Sequence, residues 1–387
     1  MHQRYTSLVC LVMLLVFGCL GAIANPLDRG ESVTIISTAG GVRLAGKLRL
    51  PQGPGLFPAA VLLTERSATG QVQPTETQLL NSIADFLVRE GVAVLRLDER
   101  GRGNSQGSVA TTTWADRAAD AIAALNYLRT RPQLDVARLG LIGHGEGANV
   151  ALLAGAQPLA PKFVVALAAA GLPGRELLAT QTVMYGRVLS HDTLDVQRQR
   201  QYRQALAAAA KEAVRLRATG SNAAQVQTYL DQQHMRQKAA MRRDADNLAK
   251  QQRAMLEIVR QTPDNAQAQA ILANMLRQQY PTISPEDVQS SVQLLTTPAY
   301  RSFLAFDPQS TLAQVQCPVL LLQGENDAQV NATVNLQLLK KGLRGNGRVA
   351  ELRYPGLDHD LQAAPNDQAA VFINAPADIR SWITSQK

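Results

Sequence analysis

The chain has 387 residues, of which 46% are hydrophobic, 18% charged and 4% aromatic, and its 39 Lys and Arg against 31 Asp and Glu give a formal charge of +8. These values exclude a disordered or collagen-like chain and provide enough apolar residues for a packed core. The positive net charge is compatible with an anionic partner such as nucleic acid or an acidic surface. Only the distribution of the charge along the chain can distinguish between these partners.

The first 24 residues have the pattern of a secretory signal peptide. A short start with Arg4 precedes the apolar run 8–20, and Ala22-Ile23-Ala24 forms a small-x-small cleavage site. The run is short for a membrane span, which needs about 20 residues. We therefore expect an exported protein, periplasmic or secreted. A lipoprotein anchored at Cys19, in the lipobox-like stretch Val16-Phe17-Gly18-Cys19, and an uncleaved anchor remain alternatives.

Cleavage after Ala24 leaves Cys317 as the only cysteine of the mature chain. A single cysteine cannot form an internal disulfide, and it excludes a thiolate metal cluster. Because Cys317-Pro318 leads into an apolar stretch, we expect a small buried side chain there.

Residues 31–168 alternate between strand and helix patterns. The stretches 33–37 and 42–50 flank Ala39-Gly40-Gly41 and predict a hairpin. Buried strands are predicted at 58–64, 92–97, 139–142 and 163–167, and helices at 77–89, 113–130 and 147–155. Repeated strand–helix units indicate an α/β fold, a mostly parallel, doubly wound sheet with helices on both faces.

The pattern changes between about residues 182 and 301, where no strand is predicted. The helices expected there are 195–218, 223–241, 244–261 and 265–279. Strands return at 319–322 and 349–352, and a last helix is expected at 375–385. We therefore predict a signal peptide at 1–24, an α/β core in two parts, 25–181 and 302–387, and a helical cap insertion at 182–301.

The stretch Gly143-His144-Gly145-Glu146-Gly147 has the layout of a nucleophile elbow, G-x-S-x-G, between a strand and a helix. Two further candidates follow later strands. Asp327 comes after the strand 319–322, and His359 comes after the last strand. Nucleophile position, acid and base thus occur in the chain order that is typical of α/β-hydrolases.

These motifs resemble those of bacterial exported α/β-hydrolases related to EstD-type carboxylesterases and S33-type serine aminopeptidases. The matching stretches are 46–50, 57–59, 98–105, 140–147, 306–308, 317–330 and 354–359. The resemblance covers most of the core and only loosely the cap. It implies an α/β-hydrolase fold, hydrolysis of a carboxylic ester or related acyl bond, Asp327 as the orienting acid and His359 as the base. It implies no metal or organic cofactor.

The chain departs from this family at the nucleophile, where it has Gly145. Glycine cannot form an acyl-enzyme, so serine chemistry is expected to be lost or strongly impaired, although glycine adopts the strained elbow backbone easily. The family's Gly-Ser-Gly type loop is replaced by Leu63-Thr64-Glu65-Arg66-Ser67. The backbone N–H groups of Glu146 and of Glu65 or Arg66 are the candidate oxyanion donors. We expect the side chains of His144 and Glu146 to leave the elbow in other directions.

Three other functions compete with an acyl hydrolase, whose ligand would be a small acyl or ester molecule. A non-catalytic ligand-binding protein of the cell envelope is the main alternative. A dinucleotide site is disfavoured, because the match Gly143-His144-Gly145-Glu146-Gly147-Ala148 has no ribose-binding acid about 20 residues later. Nucleic-acid binding is disfavoured because the basic cap has few aromatic residues for stacking. The sequence does not determine whether the site turns over substrate, nor does it determine the oligomeric state of the protein.

The net charge is concentrated in the predicted cap. Residues 187–260 contain 14 Lys and Arg against 7 Asp and Glu. The rest of the mature chain is balanced, so the charge bears on what approaches the cap, such as an anionic ligand or an envelope surface.

Overall fold

The structure, a computed structural model, describes residues 30–65, 74–180, 191–363 and 374–386. The predicted signal peptide and Arg66 lie outside these residues. The strands are β1 (Glu31–Ile36), β2 (Arg43–Arg49), β3 (Phe57–Leu63), β4 (Ala93–Leu97), β5 (Leu134–His144), β6 (Phe163–Leu167), β7 (Val319–Gly324) and β8 (Val349–Tyr354). The helices are α1 (Pro74–Arg89), α2 (Trp114–Arg129), α3 (Glu146–Gly155), α4 (Gly174–Thr180), α5 (His191–Ala218), α6 (Ala223–Gln261), α7 (Asn265–Gln279), α8 (Pro285–Leu295), α9 (Pro298–Ala305), α10 (Gln309–Leu312), α11 (Ala332–Gly342) and α12 (Ala375–Ser385).

The eight strands form one sheet in the order β1-β2-β4-β3-β5-β6-β7-β8. The predicted hairpin β1–β2 is antiparallel, and β2 also runs antiparallel to β4. The remaining neighbours are parallel. The predicted α/β class is confirmed. Because parallel strands end at the same edge, the loops after β3, β5, β7 and β8 meet there.

The sheet is buried on both faces, which explains the continuous apolar runs of its central strands. In β3, Ala59 and Val61 face a core cluster shared with α2 and α3. Ala60 and Leu62 face the opposite cluster, shared with α1 and α12. These successive side chains alternate between two separate cores, as the pleat of a strand requires.

Local sequence signals set several helix starts. Thr113 and Asp116 form a capping box at the start of α2, and Asn222 and Gln225 form one at the start of α6. Each box satisfies backbone N–H groups that the first helical turn leaves without a helical acceptor.

The described residues between β6 and β7 form helices joined by short loops, with no strand among them, and α7 has the predicted bounds. One expectation is wrong: the predicted helices 223–241 and 244–261 are a single helix, α6, of 39 residues. No Gly or Pro interrupts residues 241–244, so nothing in the backbone ends the helix there. The prediction also omitted α4, α8 and α9.

The inserted helices have an apolar core of their own. The residues at its centre belong to α6, α7 and α8 and include Val259, Leu272, Leu276 and Val292, each at most 1% exposed. Among the described residues, no helix combines the length and the apolar character needed to cross a membrane.

Candidate active site

Gly145 forms the elbow, between His144, the last residue of β5, and Glu146, the first residue of α3. Gly145 has φ of 52° and ψ of −119°, and its N–H donates to the carbonyl oxygen of Leu167 at 2.9 Å. A residue with a side chain is strained in this backbone conformation, at a cost of about 1–3 kcal/mol. Glycine therefore keeps the sharp strand-to-helix turn without that strain.

The two flanking glycines are required by the close approach of backbones. A Cβ on Gly143 would lie 2.2 Å from the carbonyl oxygen of Gly147. A Cβ on Gly147 would lie 2.3 Å from the carbonyl oxygen of Leu63, at the end of β3. Any side chain at either position would force the strand and the helix apart.

Asp327 and His359 lie together at the carboxyl edge of the sheet. The Nδ1 atom of His359 is 2.7 Å from Oδ2 of Asp327, and both residues are buried. Oδ2 also accepts from Nε2 of Gln323 at 2.7 Å, while Oδ1 accepts the backbone N–H groups of Gln329 and Val330, each at 2.8 Å. Asp327 is thereby fixed in a position that orients the imidazole of His359.

Glu65 lies on the other side of His359. Its Oε2 atom is 3.0 Å from Nε2 of His359. A Cβ on Gly145 would lie 2.6 Å from Cδ of Glu65 and 2.8 Å from each of its carboxylate oxygens. The carboxylate of Glu65 therefore occupies the space into which a nucleophilic side chain at position 145 would project.

The two carboxylates change the acid–base properties of His359. Burial by itself would lower the pKa of His359, but the hydrogen bonds and charges of Asp327 and Glu65 outweigh burial and hold this pKa well above 6.5. Burial would raise the pKa of Glu65, and His359 reverses that effect and lowers it. Asp327, His359 and Glu65 thus form a hydrogen-bonded chain. When His359 is protonated, its imidazolium lies between two carboxylates.

His144 joins this cluster, against the expectation that its side chain points elsewhere. It is fully buried, its ring centroid is 4.8 Å from that of His359, and its Nε2 is 2.9 Å from the carbonyl oxygen of His359. Its Nδ1 is 3.9 Å from Oε2 of Glu65 and 3.8 Å from Oε1 of Glu76. Within the described part of the chain this Nδ1 has no hydrogen-bond partner.

Glu76, near the start of α1, is hydrogen-bonded to the backbone of Glu65. Its Oε1 atom accepts the backbone N–H of Glu65 in a short hydrogen bond. Glu76 is 2% exposed, and this burial raises the pKa of its carboxyl group. In this arrangement the N–H of Glu65, one of the candidate oxyanion donors, is directed at Glu76.

Glu146 follows the elbow and is the first residue of α3, the position from which nucleophile-elbow enzymes take one oxyanion donor. As expected, its side chain points away from the elbow. Its Oε2 accepts from Arg117 at 3.1 Å. Arg117 also donates to the carbonyl oxygen of Thr64 at 2.6 Å and to Glu99 at 2.9 Å. Arg117 therefore fixes α3 to the loop that carries Glu65.

The structure thus brings together at one edge the five sequence-predicted site residues that it describes: Gly145, Glu146, Asp327, His359 and Glu65. Sequence reasoning expected a carboxylate on the Glu65 loop to reshape the pocket, but it did not predict the contacts of that carboxylate with His359 and Gly145, and it missed His144 and Glu76. Only the order of the elbow, acid and base along the chain could signal the site. No spacing rule connects a loop after β3 with the imidazoles at positions 144 and 359.

The sheet order, the elbow and the acid–base pair define an α/β-hydrolase fold. The sequence model of the peptidase S15 family, described as X-Pro dipeptidyl-peptidase, matches residues 40–347. The chain therefore belongs to the peptidase S15 family, and by family and fold it is of the esterase and peptidase type of hydrolase. No curated protein matches the sequence.

Three solved structures with the same fold are distant from this chain in sequence. Est1E from Butyrivibrio proteoclasticus with bound ferulic acid is 14% identical, with 92% of this chain and 98% of that chain covered and a TM-score of 0.50. The Pyrococcus furiosus esterase PF2001 is 14% identical, with 94% and 93% covered and a TM-score of 0.50. The hypothetical protein PA2218 from Pseudomonas aeruginosa is 16% identical, with 94% and 96% covered and a TM-score of 0.51. At these identities the likeness shows the fold alone.

Proposed function

We propose that this protein hydrolyses a carboxylic ester or related acyl bond without a serine acyl-enzyme, with a water molecule in place of the nucleophile missing at Gly145. The observation that carries the proposal is the position of the Glu65 carboxylate, in the space that a side chain at residue 145 would need and 3.0 Å from His359. The retained Asp327–His359 pair supports it further.

Each site residue has a role in this proposal. Asp327 orients His359 through the bond to Nδ1. His359 and Glu65 together hold a proton that can pass to or from the reacting groups at Nε2. The N–H of Glu146 is proposed to stabilise the oxyanion of the tetrahedral intermediate. Without a covalent nucleophile, a site of this kind retains roughly 10³–10⁴-fold acceleration over water.

Hydrolysis assays on a panel of short acyl esters and an X-Pro dipeptide anilide test the proposal. The wild type is expected to be active, and His359→Ala is expected to lose that activity. His234→Ala, which changes an exposed histidine of α6, is the matched control and should behave as wild type. Equal turnover by His359→Ala and wild type would refute the assignment of the site.

A serine-reactive fluorophosphonate probe gives an independent test. It should leave residues 143–147 unlabelled, because position 145 carries no hydroxyl. A probe adduct mapped to that peptide by mass spectrometry would contradict the placement of the elbow.

A non-catalytic ligand-binding role is the second candidate. The hydrogen bond between Nε2 of His359 and the Glu65 carboxylate favours it, since a ring nitrogen that donates to a carboxylate cannot at the same time take up a proton as a general base. This function predicts that short acyl ligands raise the melting temperature of the wild type while no substrate on the panel is turned over. Turnover that depends on His359 would rule it out.

We further propose that the protein is exported to the periplasm or secreted. The n-region, apolar run and cleavage pattern of residues 1–24 support this. The mass of the mature chain decides it: a first residue of Asn25 is expected. A lipid-modified Cys19 would instead show an envelope lipoprotein.

A further inference from the structure

We propose that Glu65, His144 and His359 bind one divalent transition-metal ion of the zinc class. The proposal rests on the proposed function and changes one role in it: with the ion bound, Nε2 of His359 is a ligand and no longer carries the proton shared with Glu65. Binding of the ion does not itself require turnover. The oxygen and nitrogen atoms that these side chains offer all lie within 4.8 Å of one another.

The ligand atoms would have to move from the present arrangement to bind one ion. Oε2 of Glu65 is 3.0 Å from Nε2 of His359 and 3.9 Å from Nδ1 of His144. Ligand atoms bound to zinc at 2.0–2.2 Å in a tetrahedron are about 3.3–3.6 Å apart. The two separations from Glu65 lie on both sides of that value. The two imidazole nitrogens lie within 4.8 Å of each other and would have to approach by up to about 1.2–1.5 Å to bind one ion.

Surrounding acceptors direct one ring nitrogen of each histidine into the cluster. The Asp327 carboxylate accepts the Nδ1–H of His359, and Nε2, which donates to Glu65 in the metal-free protein, would release that proton when it binds the ion. The His359 carbonyl oxygen can only accept, so Nε2 of His144 donates to it, and Nδ1 of His144 lies on the side of the ring that faces the carboxylates of Glu65 and Glu76. Metal-binding histidines are held in this way, by a carboxylate or a backbone carbonyl on the other nitrogen.

His144 provides the observation that a simple acid–base chain does not explain. It is fully buried, and its Nδ1 lies without a hydrogen-bond partner among the described residues. A buried polar atom of this kind is destabilising unless something binds it. Both Glu65 and Glu76 are too far from it for a hydrogen bond, at 3.9 and 3.8 Å, whereas a cation between these groups would contact Nδ1 directly.

The ligand set determines the class of metal. Two imidazoles and one carboxylate are typical of catalytic zinc sites, in which a fourth position holds water. Magnesium and calcium prefer oxygen ligands alone. Glu65 is the only partly exposed ligand, with 22% of its side chain accessible. The fourth position is therefore expected on the side of Glu65 that faces solvent.

The ion would supply the nucleophile that Gly145 lacks. A zinc-bound water ionises at a pH near 7 and leaves a bound hydroxide. The hydroxide oxygen forms the new bond to the acyl carbon, the bond from that carbon to the alcohol oxygen breaks, and the proton released by the water ends on the alkoxide. Ester and water thus give acid and alcohol with no other reactant.

Isothermal titration of the chelator-treated, tag-free protein with Zn²⁺ alone tests the proposal. One ion per chain is expected to bind, with a matching rise in melting temperature. Glu65→Gln and His144→Gln are expected to weaken binding by at least about tenfold, because each loses one ligand. The matched controls are Glu325→Gln and His234→Gln, which change exposed residues of the same two types.

Circular dichroism of each apo variant separates lost binding from lost folding, and Glu65→Gln, at a half-buried position, serves if the His144 variant does not fold. Binding of less than one equivalent to the wild type, or equal binding by Glu65→Gln and the controls, would refute the metal site. Stoichiometric binding without hydrolysis would refute only the proposed function. Hydrolysis that survives complete removal of metal would refute only the metal's part in it.

Discussion

Replacing Gly145 by serine is expected to destabilise the protein, by an amount that depends on Glu65. The new Cβ would lie 2.6 Å from Cδ of Glu65, so the carboxylate must move away and give up its hydrogen bond to His359. The φ of 52° adds strain to any residue with a side chain. A strained backbone costs about 1–3 kcal/mol, and a hydrogen bond to a charged group contributes about 1.5–3 kcal/mol.

A double-mutant cycle separates these two contributions. In the wild-type background, Gly145→Ser is expected to lower the free energy of unfolding by about 3–5 kcal/mol, the sum of both effects less what the displaced carboxylate regains in water. In a Glu65→Ala background only the backbone strain remains, so the same substitution should cost about 1.5–3 kcal/mol less. Gly40→Ser, at a positive φ with no side chain in contact range except that of Val42, is the control for backbone strain alone.

Urea unfolding followed by tryptophan fluorescence and far-UV circular dichroism measures each corner of the cycle, with the midpoint compared at constant slope. A cost of Gly145→Ser that is the same in both backgrounds, within about 0.5 kcal/mol, would show that Glu65 does not occupy the space beside residue 145. A clash with Glu65 could then not explain why a serine is absent from the elbow.

Three further predictions concern the rest of the molecule. Arg117→Met should destabilise the protein by about 3 kcal/mol in urea unfolding, because it removes the buried cation that Glu99 and Glu146 share. The control Arg215→Ala, at an exposed position of α5, should have no measurable effect in the same assay. Leu272→Ala should cost about 2–5 kcal/mol in the same assay, because Leu272 is fully buried in the insertion core, and an equal effect of Leu159→Ala, 57% exposed, would contradict this. Burial raises the pKa of the Cys317 thiol to about 11. Alkylation of Cys317 by iodoacetamide at pH 8, followed by mass spectrometry, should therefore be about 100-fold slower in the native than in the urea-unfolded protein. Similar rates in the two states would exclude a buried thiol.

Export and the charge of the insertion remain predictions from sequence. The insertion carries an excess of basic residues in α5 and α6, and most described charged side chains there are exposed. Exposed basic residues of this kind interact with an anionic ligand or surface at low ionic strength and are screened by salt.

Much of the fold could be predicted from local patterns. The apolar runs that became β3 and β6 and the first three residues of β4 are buried, and such runs are typical of strands covered on both faces of a sheet. The helices α7 and α12 were predicted with their observed bounds. The single helix α6 was divided in two by prediction, because polar residues around 241–244 interrupt the apolar stripe but do not break the backbone.

The strand–helix alternation, the family resemblance and the chain order of Gly145, Asp327 and His359 together predicted an α/β-hydrolase fold and a nucleophile position without a nucleophile. These residues follow β5, β7 and β8, which end at one sheet edge. The tertiary structure alone decided what occupies that position. Glu65 follows β3, which pairs with β5, so the two strand ends place its carboxylate against Gly145 and His359. The orientation of a side chain on a loop depends on contacts with residues far away in sequence, and such contacts leave no local periodicity to read.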